Sequence, residues 1–235
     1  NKVAHAANVA VTVSDAMTYT EANALDAVTT GVITGTVTGT TIANLATLTG
    51  TGNAYAVTVS DAATIAQLTT LDGKTTGTIT ANTITDAVAT MITNTGGYVK
   101  SGVTATYQFA TTDTNQAITA VTGATNKLDV NALTAATATS AAAAGDPDAT
   151  KFYLITGAAA GVADDATKAA AATAISGAAV WTYTASVTTY VAIADDNSTA
   201  IYKWIDAAVA GAVDTELTLV GTIDAPLVSG DFVFA

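Results

Sequence analysis

The stretch Ala56–Ala81, AVTVSDAATIAQLTTLDGKTTGTITA, decides the fold, because the chain contains nearly the same sequence once before. When the numbering is shifted by 46 positions, Ala10–Thr34 (AVTVSDAMTYTEANALDAVTTGVIT) aligns with Ala56–Thr80 without a gap, and 15 of 25 positions are identical. This exceeds chance even in a chain rich in Ala and Thr. Such a repeat is typical of units that stack on their neighbours, because one unit cannot bury its apolar face alone.

Each copy begins with an alternating segment that predicts a β-strand. In the first copy, Val9, Val11 and Val13 point to one side of this strand, and the threonine and serine between them point to the other. The aspartates that follow, Asp15 and Asp61, are predicted to be helix N-caps, because a carboxylate accepts from the free N–H groups of a first helical turn.

A helix is predicted after each of these aspartates. Ile65, Leu68 and Leu71 recur at a helical spacing of three, and Gly73 is predicted to be a left-handed C-cap. Second strands follow at Val32–Thr38 and Thr78–Ala81. Strand centres near positions 12, 34, 58 and 79 lie 22, 24 and 21 residues apart. The 46-residue unit is therefore interpreted as two strand-plus-helix coils of a solenoid like that of leucine-rich repeats. A β-solenoid with short irregular corners is the alternative, and both interpretations predict a parallel stack of strands.

The repeat is lost after Gly97, which divides the chain into a repeat domain (1–97) and a C-terminal β-rich domain (98–235). The predicted C-terminal elements are an Ala-rich helix over Ala166–Ser176, capped by Asp164 or Asp165, and eight strands: Ala105–Ala110, Leu128–Val130, Lys151–Thr156, Val180–Ala185, Tyr190–Ala194, Thr199–Ile205, Glu216–Ile223 and Asp231–Phe234. Short polar turns between successive strands favour an antiparallel sheet with the helix on one face. The fold class predicted for the whole chain is thus mainly β with short helices (α+β).

The charge balance excludes nucleic acid as a partner. The chain has 19 acidic residues and 7 basic ones, all of them lysines, which gives a net charge of −12 and a pI of about 4.1. Phosphate backbones need basic stripes, whereas an acidic chain recruits cations, of which calcium is the commonest outside cells. Cysteine is absent, which excludes disulfides and thiolate metal sites and fits a secreted bacterial protein. No apolar run is long enough to predict a membrane span.

Two acidic groups are candidate calcium sites because calcium prefers six to eight oxygen ligands. Asp195, Asp196 and Asn197 lie between two predicted strands, and Asp206, Asp214 and Glu216 flank an Ala/Gly-rich link. The alternative interpretation of the first group is a solvated turn, which Asp and Asn favour through bonds from their side chains to the backbone.

The residues for catalysis are sparse, so the sequence predicts a protein that is not an enzyme. A Ser/His/Asp triad would need His5, which is the single histidine, and no G-x-S-x-G elbow or phosphate-binding loop is present. Thr34, Thr36 and Thr38 would suit an ice-binding face. They are better interpreted as polar β-branched residues on the outer face of a strand, because the Thr-x-Thr pair is not repeated in every coil.

Two portions of the chain show a family resemblance. Gly50–Thr58 (GTGNAYAVT) and Leu71–Thr76 (LDGKTT) resemble repeats of very large secreted surface proteins of cyanobacteria and other Gram-negative bacteria. The C-terminal run resembles the terminal module of S-layer-like and RTX-type proteins exported by type I secretion, through Tyr190–Asp196 (YVAIADD), Ser198–Trp204 (STAIYKW), Glu216–Gly221 (ELTLVG) and Ser229–Ala235 (SGDFVFA). The resemblance implies an extracellular, calcium-dependent protein with a C-terminal export signal. The glycine- and aspartate-rich nonapeptide of RTX proteins is missing.

The expected function is that of an extracellular structural protein. In this hypothesis the chain is a self-assembling subunit of a surface layer or filament on the cell surface, because an uncapped solenoid end adds further copies. The alternative is a calcium-dependent adhesin or glycan-binding module that uses Trp181, Trp204 and nearby tyrosines, although these aromatic residues are also expected in a core.

Overall fold

The computed structural model describes residues 8–94, 97–99, 102–120, 124–133, 138–140, 152–156, 168–178, 187–207 and 214–234. Over these residues the protein is a mixed α/β structure with mostly strands, arranged in several sheets, and few helices. The chain divides into an N-terminal body, Asn1–Asp86 with Gly96–Ala105, and a C-terminal body, Ala87–Thr95 with Thr106–Ala235. No helix in the described ranges has the length and apolar character needed to cross a membrane.

The strands and helices alternate in the first third of the chain, and strands dominate afterwards. The strands are β1 (Val11–Thr12), β2 (Ile33–Thr40), β3 (Ala54–Val59), β4 (Ile79–Ala81), β5 (Thr83–Ala87), β6 (Thr104–Gln108), β7 (Gln116–Ile118), β8 (Thr125–Asp129), β9 (Ala138–Ser140), β10 (Phe152–Thr156), β11 (Thr188–Ala194), β12 (Thr199–Ile205), β13 (Leu217–Ile223) and β14 (Phe232–Val233). The helices are α1 (Tyr19–Asp26), α2 (Ile42–Leu45), α3 (Ile65–Asp72), α4 (Val88–Thr93) and α5 (Lys168–Ala178), with 3-10 turns at Asp214–Glu216 and Ser229–Asp231.

A four-stranded parallel sheet with the order β1-β2-β3-β4 organises the N-terminal body. Val11 pairs with Ile33, Thr34 with Ala54, and Val57 with Ile79, so successive strands are offset by 22, 20 and 22 residues. The strands are parallel because a helix lies in each connection and returns the chain to the same end of the sheet. Each strand and the helix that follows it form one module: β1 with α1, β2 with α2, and β3 with α3.

The helices of modules 1 and 3 begin at threonine rather than at aspartate. Thr18 caps α1 and Thr64 caps α3, and in each case the side chain at the third helical position, Glu21 or Gln67, accepts from the backbone N–H of the capping threonine. This is the capping box T-x-x-E/Q. The prediction that Asp15 and Asp61 are N-caps is therefore wrong, because the capping box three residues later provides a reciprocal pair of bonds.

The predicted apolar face of α3 is confirmed, since Ile65, Leu68 and Leu71 are all buried. Gly73 closes the helix, but its φ of −68° is right-handed, so the predicted left-handed C-cap is wrong. Two of the described glycines with left-handed backbone are Gly50 and Gly52, with φ of 74° and 95°. They lie in the turn before β3, where an L side chain would be strained.

The sheets that follow are shorter or mixed in direction. One four-stranded sheet has the order β14-β8-β6-β5, with β14 parallel to β8. The C-terminal body contains a six-stranded sheet with the order β7-β13-β12-β11-β10-β9. Its centre, β11-β12-β13, is antiparallel as predicted, but β10 is parallel to β11 and to β9, and β13 is parallel to β7.

The expectation of an antiparallel sheet throughout the C-terminal domain is therefore corrected to a mixed sheet. The connection from β10 to β11 contains α5, and a helical crossover brings the second strand back in the same direction as the first. The Ala-rich helix is therefore a crossover between two parallel strands, β10 and β11, rather than an addition to an antiparallel sheet. The predicted strand Val180–Ala185 and the capping residues Asp164 and Asp165 lie outside the described residues.

The helix α5 packs on the six-stranded sheet. Its buried residues Ala171, Ala172 and Ile175 belong to one apolar cluster with sheet residues that include Val191, Ile193, Tyr202, Trp204 and Leu217. Alanine suits this face because its high helix propensity is combined with a small side chain that lets the helix approach the sheet.

Candidate functional site

Threonine hydroxyls join each module to the one before it, in the same way in both copies of the repeat. Thr29 Oγ1 donates to the Val9 carbonyl at 2.6 Å and accepts from the Gly31 N–H at 3.1 Å. Exactly 46 residues later, Thr75 Oγ1 lies 2.8 Å from the Tyr55 carbonyl and accepts from the Gly77 N–H at 3.0 Å. The sequence repeat is therefore also a repeat of buried hydrogen bonds.

Asn53, which lies between these two threonines in the sequence, makes comparable buried hydrogen bonds. Its Oδ1 accepts from the Ile33 N–H at 2.9 Å, and its Nδ2 donates to Asp26 Oδ1, also at 2.9 Å. Thr29, Asn53 and Thr75 are buried, so they satisfy backbone groups that water cannot reach. These buried hydrogen bonds were not predicted from the sequence, because a buried Thr or Asn cannot be distinguished from an exposed one in an alternating pattern.

Aspartates make a second set of bonds between modules. Asp61 Oδ1 accepts from the Ile42 N–H at 2.8 Å, and Asp86 Oδ2 accepts from the Ile65 N–H at 3.0 Å. Each carboxylate therefore reaches back to the first turn of the helix in the preceding module, where the free N–H groups and the helix dipole favour a negative charge. Asp15 holds the position of Asp61 in the first copy, and its side chain is exposed.

The first module presents an open strand edge. The N–H groups of Val11 and Val13 donate to β2, at the carbonyls of Val32 and Thr34. In a parallel sheet the backbone groups of alternate residues point to opposite edges, so those of Thr12 point away from β2. Since β1 is the first strand in the sheet order, none of the described strands pairs with this edge.

Side chains on this end of the sheet are less buried than their counterparts in the second copy. Val13 and Leu25 are partly exposed, whereas the residues 46 positions later are covered: Val59 is 1% exposed and Leu71 is 0% exposed. Val28 is 64% exposed. We refer to the surface formed by β1 and α1, with Thr12, Val13, Leu25 and Val28, as the end face.

A groove of about 480 Å³ runs over the end face. Its walls are mostly apolar and include Val13, Met17, Ala24, Leu25 and Val28, and two carboxylates, Asp15 and Glu21, lie at it. The Glu21 carboxylate accepts hydrogen bonds from the backbone N–H and from the hydroxyl of Thr18. Both bonds lower the pKa of Glu21, and the backbone bond has the larger effect. The groove is thus an apolar surface with acidic groups at its border.

The first predicted calcium group lies at the tip of the β11–β12 hairpin. Asp195 is buried, and its Oδ1 accepts from the N–H groups of Asn197 at 2.9 Å and Ser198 at 2.8 Å. Asp196 and Asn197 are exposed. The Asp195 carboxylate thus bonds to the backbone of its own turn, as the alternative interpretation expects, but this side chain is buried rather than solvated.

The second predicted group lies at the other end of the same hairpin. Glu216 is buried and bonds with both oxygens: Oε2 accepts from Trp204 Nε1 and Oε1 from the Ala207 N–H, each at 3.0 Å. Asp206 is buried and follows β12 directly. Asp214 begins the 3-10 turn Asp214–Glu216.

The hairpin therefore separates the two groups. Six residue steps along β12, from Thr199 to Ile205, span about 20 Å. Within the part of the chain that the structure describes, no group of three or more His, Cys, Asp or Glu side chains is arranged to hold a metal ion. Calcium binding at Asp195, Asp196, Asn197, Asp206, Asp214 and Glu216 stays a prediction.

The aromatic residues considered for glycan binding lie mostly in the core. Trp204 is 0% exposed and its indole N–H is bonded to Glu216, so its ring cannot stack on a sugar. Trp181 and His5 lie outside the described residues. Tyr202 is also 0% exposed, its hydroxyl has no hydrogen-bond partner among the described groups, and burial raises its pKa to about 12.

The threonines of the outer sheet face form short rows across strands. Thr12 lies opposite Thr34, and Thr58 lies opposite Thr80. Between them, however, Ala54 lies opposite Thr34 and Ala56 opposite Thr36, so the rows are interrupted in β3. This arrangement agrees with the interpretation of these residues as solvent-facing strand positions.

Comparisons with known proteins returned no match: no family model, no curated protein and no solved structure is similar to this chain.

Proposed function

We propose that this chain is an extracellular structural protein, a subunit of a surface layer or filament that assembles with copies of itself. In this proposal the strand–helix modules form a solenoid. The observation that supports it best is the edge of β1, because a strand edge with which none of the described strands pairs is a template for another chain.

The hydrogen bonds between modules are consistent with a structural role. Thr29 and Thr75 make the same bonds in the first and second copies of the repeat, and Asp61 and Asp86 accept from the first turns of α2 and α3. A module that contacts only its neighbours in this way can accept a further neighbour without rearrangement. The acidic net charge of −12 keeps such a protein soluble until it assembles.

The experiment is negative-stain electron microscopy of the purified chain, combined with sedimentation velocity over a hundredfold range of concentration. We expect filaments, sheets or discrete oligomers whose proportion rises with concentration. A single monomeric species at every concentration would contradict the proposal.

Calcium stabilisation is a separate part of the proposal. A melting curve in millimolar calcium, with an equimolar magnesium control and a chelator control, measures it directly, because an ion that binds the folded state alone raises Tm. We expect the Tm to rise in calcium and not in magnesium. Equal melting temperatures in calcium and in chelator would contradict stabilisation by calcium and would not affect the proposal of self-association.

A further inference from the structure

We infer that the end face is a self-contact, in which two copies of the chain pair their β1 strands antiparallel about a two-fold axis that passes beside Thr12. This inference rests on the proposed self-association and names the surface and the geometry that carry it.

The internal repeat shows that side chains at the end-face positions are buried where the same positions have a neighbouring module. Val59 and Leu71 in the second copy, whose strand β3 has a neighbour on each side, are buried, whereas Val13 and Leu25 at the same repeat positions of the first copy are partly exposed. The end face therefore continues an interface that the molecule already uses between its own modules. Burial of such apolar side chains is favourable by about 25 cal/mol per Å² of surface removed from water.

The opposite side of the stack is continued within the chain. The Thr104 N–H donates to the Asn82 carbonyl at 2.8 Å, so the first residue of β6 bonds to the chain just after β4. The copy that meets β1 is therefore expected to use its own β1 edge. Contact between identical patches generates a closed two-fold dimer, which is the commonest oligomer.

Strand direction follows from this symmetry. Two identical strand edges related by a two-fold axis pair antiparallel, and the outward N–H and C=O groups of Thr12 then bond to those of Thr12 in the second copy. The apolar groove beside the strand meets the same groove of the second copy. Asp15 and Glu21 at the border repel their counterparts, so added salt strengthens the contact by screening.

A single cysteine tests the pairing. The chain contains no cysteine, and hydrogen-bonded antiparallel residues have Cα atoms about 5.5 Å apart, which suits a disulfide. We expect Thr12→Cys to form a disulfide-linked dimer under mild oxidation. Thr36→Cys, on the same face but in the inner strand β2, is the control and should remain monomeric on a denaturing gel.

A second variant tests the groove without a strand mutation. Val28→Lys introduces the residue that the second copy holds at the same repeat position, Lys74, so the fold tolerates it. It should weaken dimerisation in sedimentation equilibrium at least about tenfold, because a charge would be desolvated in the contact. Val228→Lys, at a valine that is 60% exposed elsewhere, makes the same charge change and should leave dimerisation unchanged.

Cross-linking of Thr12→Cys above the control, together with a weaker Val28→Lys dimer, supports the inference. If the wild type assembles but Val28→Lys assembles equally well, or Thr12→Cys does not cross-link, the inference fails and the proposed function stands. A monomeric wild type overturns both. A monomer whose Thr12→Cys thiol resists a thiol reagent would place another segment of the same chain on the end face, which also overturns the inference.

Discussion

Thr75 Oγ1 accepts a hydrogen bond from the Tyr55 N–H at 2.8 Å, and both residues are buried. The same oxygen accepts from the Gly77 N–H at 3.0 Å, so one side chain satisfies two backbone donors, one in β3 and one in the segment just before β4. Thr75, to which the sequence analysis assigns no role, is thus a buried polar link between two modules.

Replacing this hydroxyl with a methyl group should destabilise the N-terminal body. Thr75→Val leaves two backbone donors without an acceptor, and each buried orphan costs about 1–3 kcal/mol. We expect the urea midpoint to fall clearly. Thr75→Ser keeps the hydroxyl and should recover most of the loss, and Thr58→Val on the exposed sheet face is the control for the general effect of the substitution. Equal midpoints for Thr75→Val and Thr58→Val would show that the bonds contribute nothing.

The glycines that follow these threonines are required by close packing of the backbone. A Cβ atom on Gly77 would overlap the carbonyl group of Tyr55, and one on Gly31 would overlap the carbonyl group of Val9. Gly77→Ala should therefore destabilise the protein by about 1–3 kcal/mol, the usual cost of overpacking. Gly177→Ala is the control: this glycine lies in α5 with open space around it, and alanine there should stabilise by about 0.5–1 kcal/mol. Thermal melting of both variants distinguishes these opposite signs.

Asp61 and Asp15 occupy the same repeat position and should respond differently to the same change. Asp61→Ala removes the acceptor for the Ile42 N–H and should cost about 1 kcal/mol, the typical value of a capping interaction. Asp15→Ala removes an exposed carboxylate and should change stability by less than about 0.5 kcal/mol. Chemical denaturation of the two variants in parallel measures the difference. A loss of equal size in both would mean that general charge, rather than this bond, is responsible.

The strands and helices of the repeat could be predicted from the sequence because alternation and helical spacing are local properties. The valines of β3 and the Ile65–Leu71 stripe specify their own elements, and their 46-residue recurrence predicts a parallel stack. The bonds between modules could not be predicted in this way. The partner of Asp61 lies 19 residues away, and no local pattern distinguishes a carboxylate that caps its own helix from one that caps a neighbouring helix.

The C-terminal body shows the same limit. The hairpin of β11 and β12 could be predicted from two apolar strands joined by a short polar turn, but the parallel position of β10 depends on the route of the chain through α5. The predicted calcium residues form two groups by closeness in sequence. The two groups lie at opposite ends of one hairpin, because the seven-residue strand β12 separates Asp195 from Glu216.

The buried hydroxyl of Tyr202 makes stability depend on alkaline pH. Burial raises its folded-state pKa from 10.0 to about 12, so the neutral phenol is favoured by folding. This contribution is fully present below about pH 10 and is lost as the pH rises toward 12, because the unfolded chain releases its proton first.

Tyr202→Phe removes the ionisation and also a buried hydroxyl that has no hydrogen-bond partner among the described residues. We expect equal or higher stability at pH 8 and a shallower decline above pH 10, measured as the urea midpoint across that range. Tyr55, Tyr107 and Tyr190 also have pKa values raised mainly by burial, so part of the decline should persist. Parallel profiles for the variant and the wild type above pH 10 would contradict the prediction.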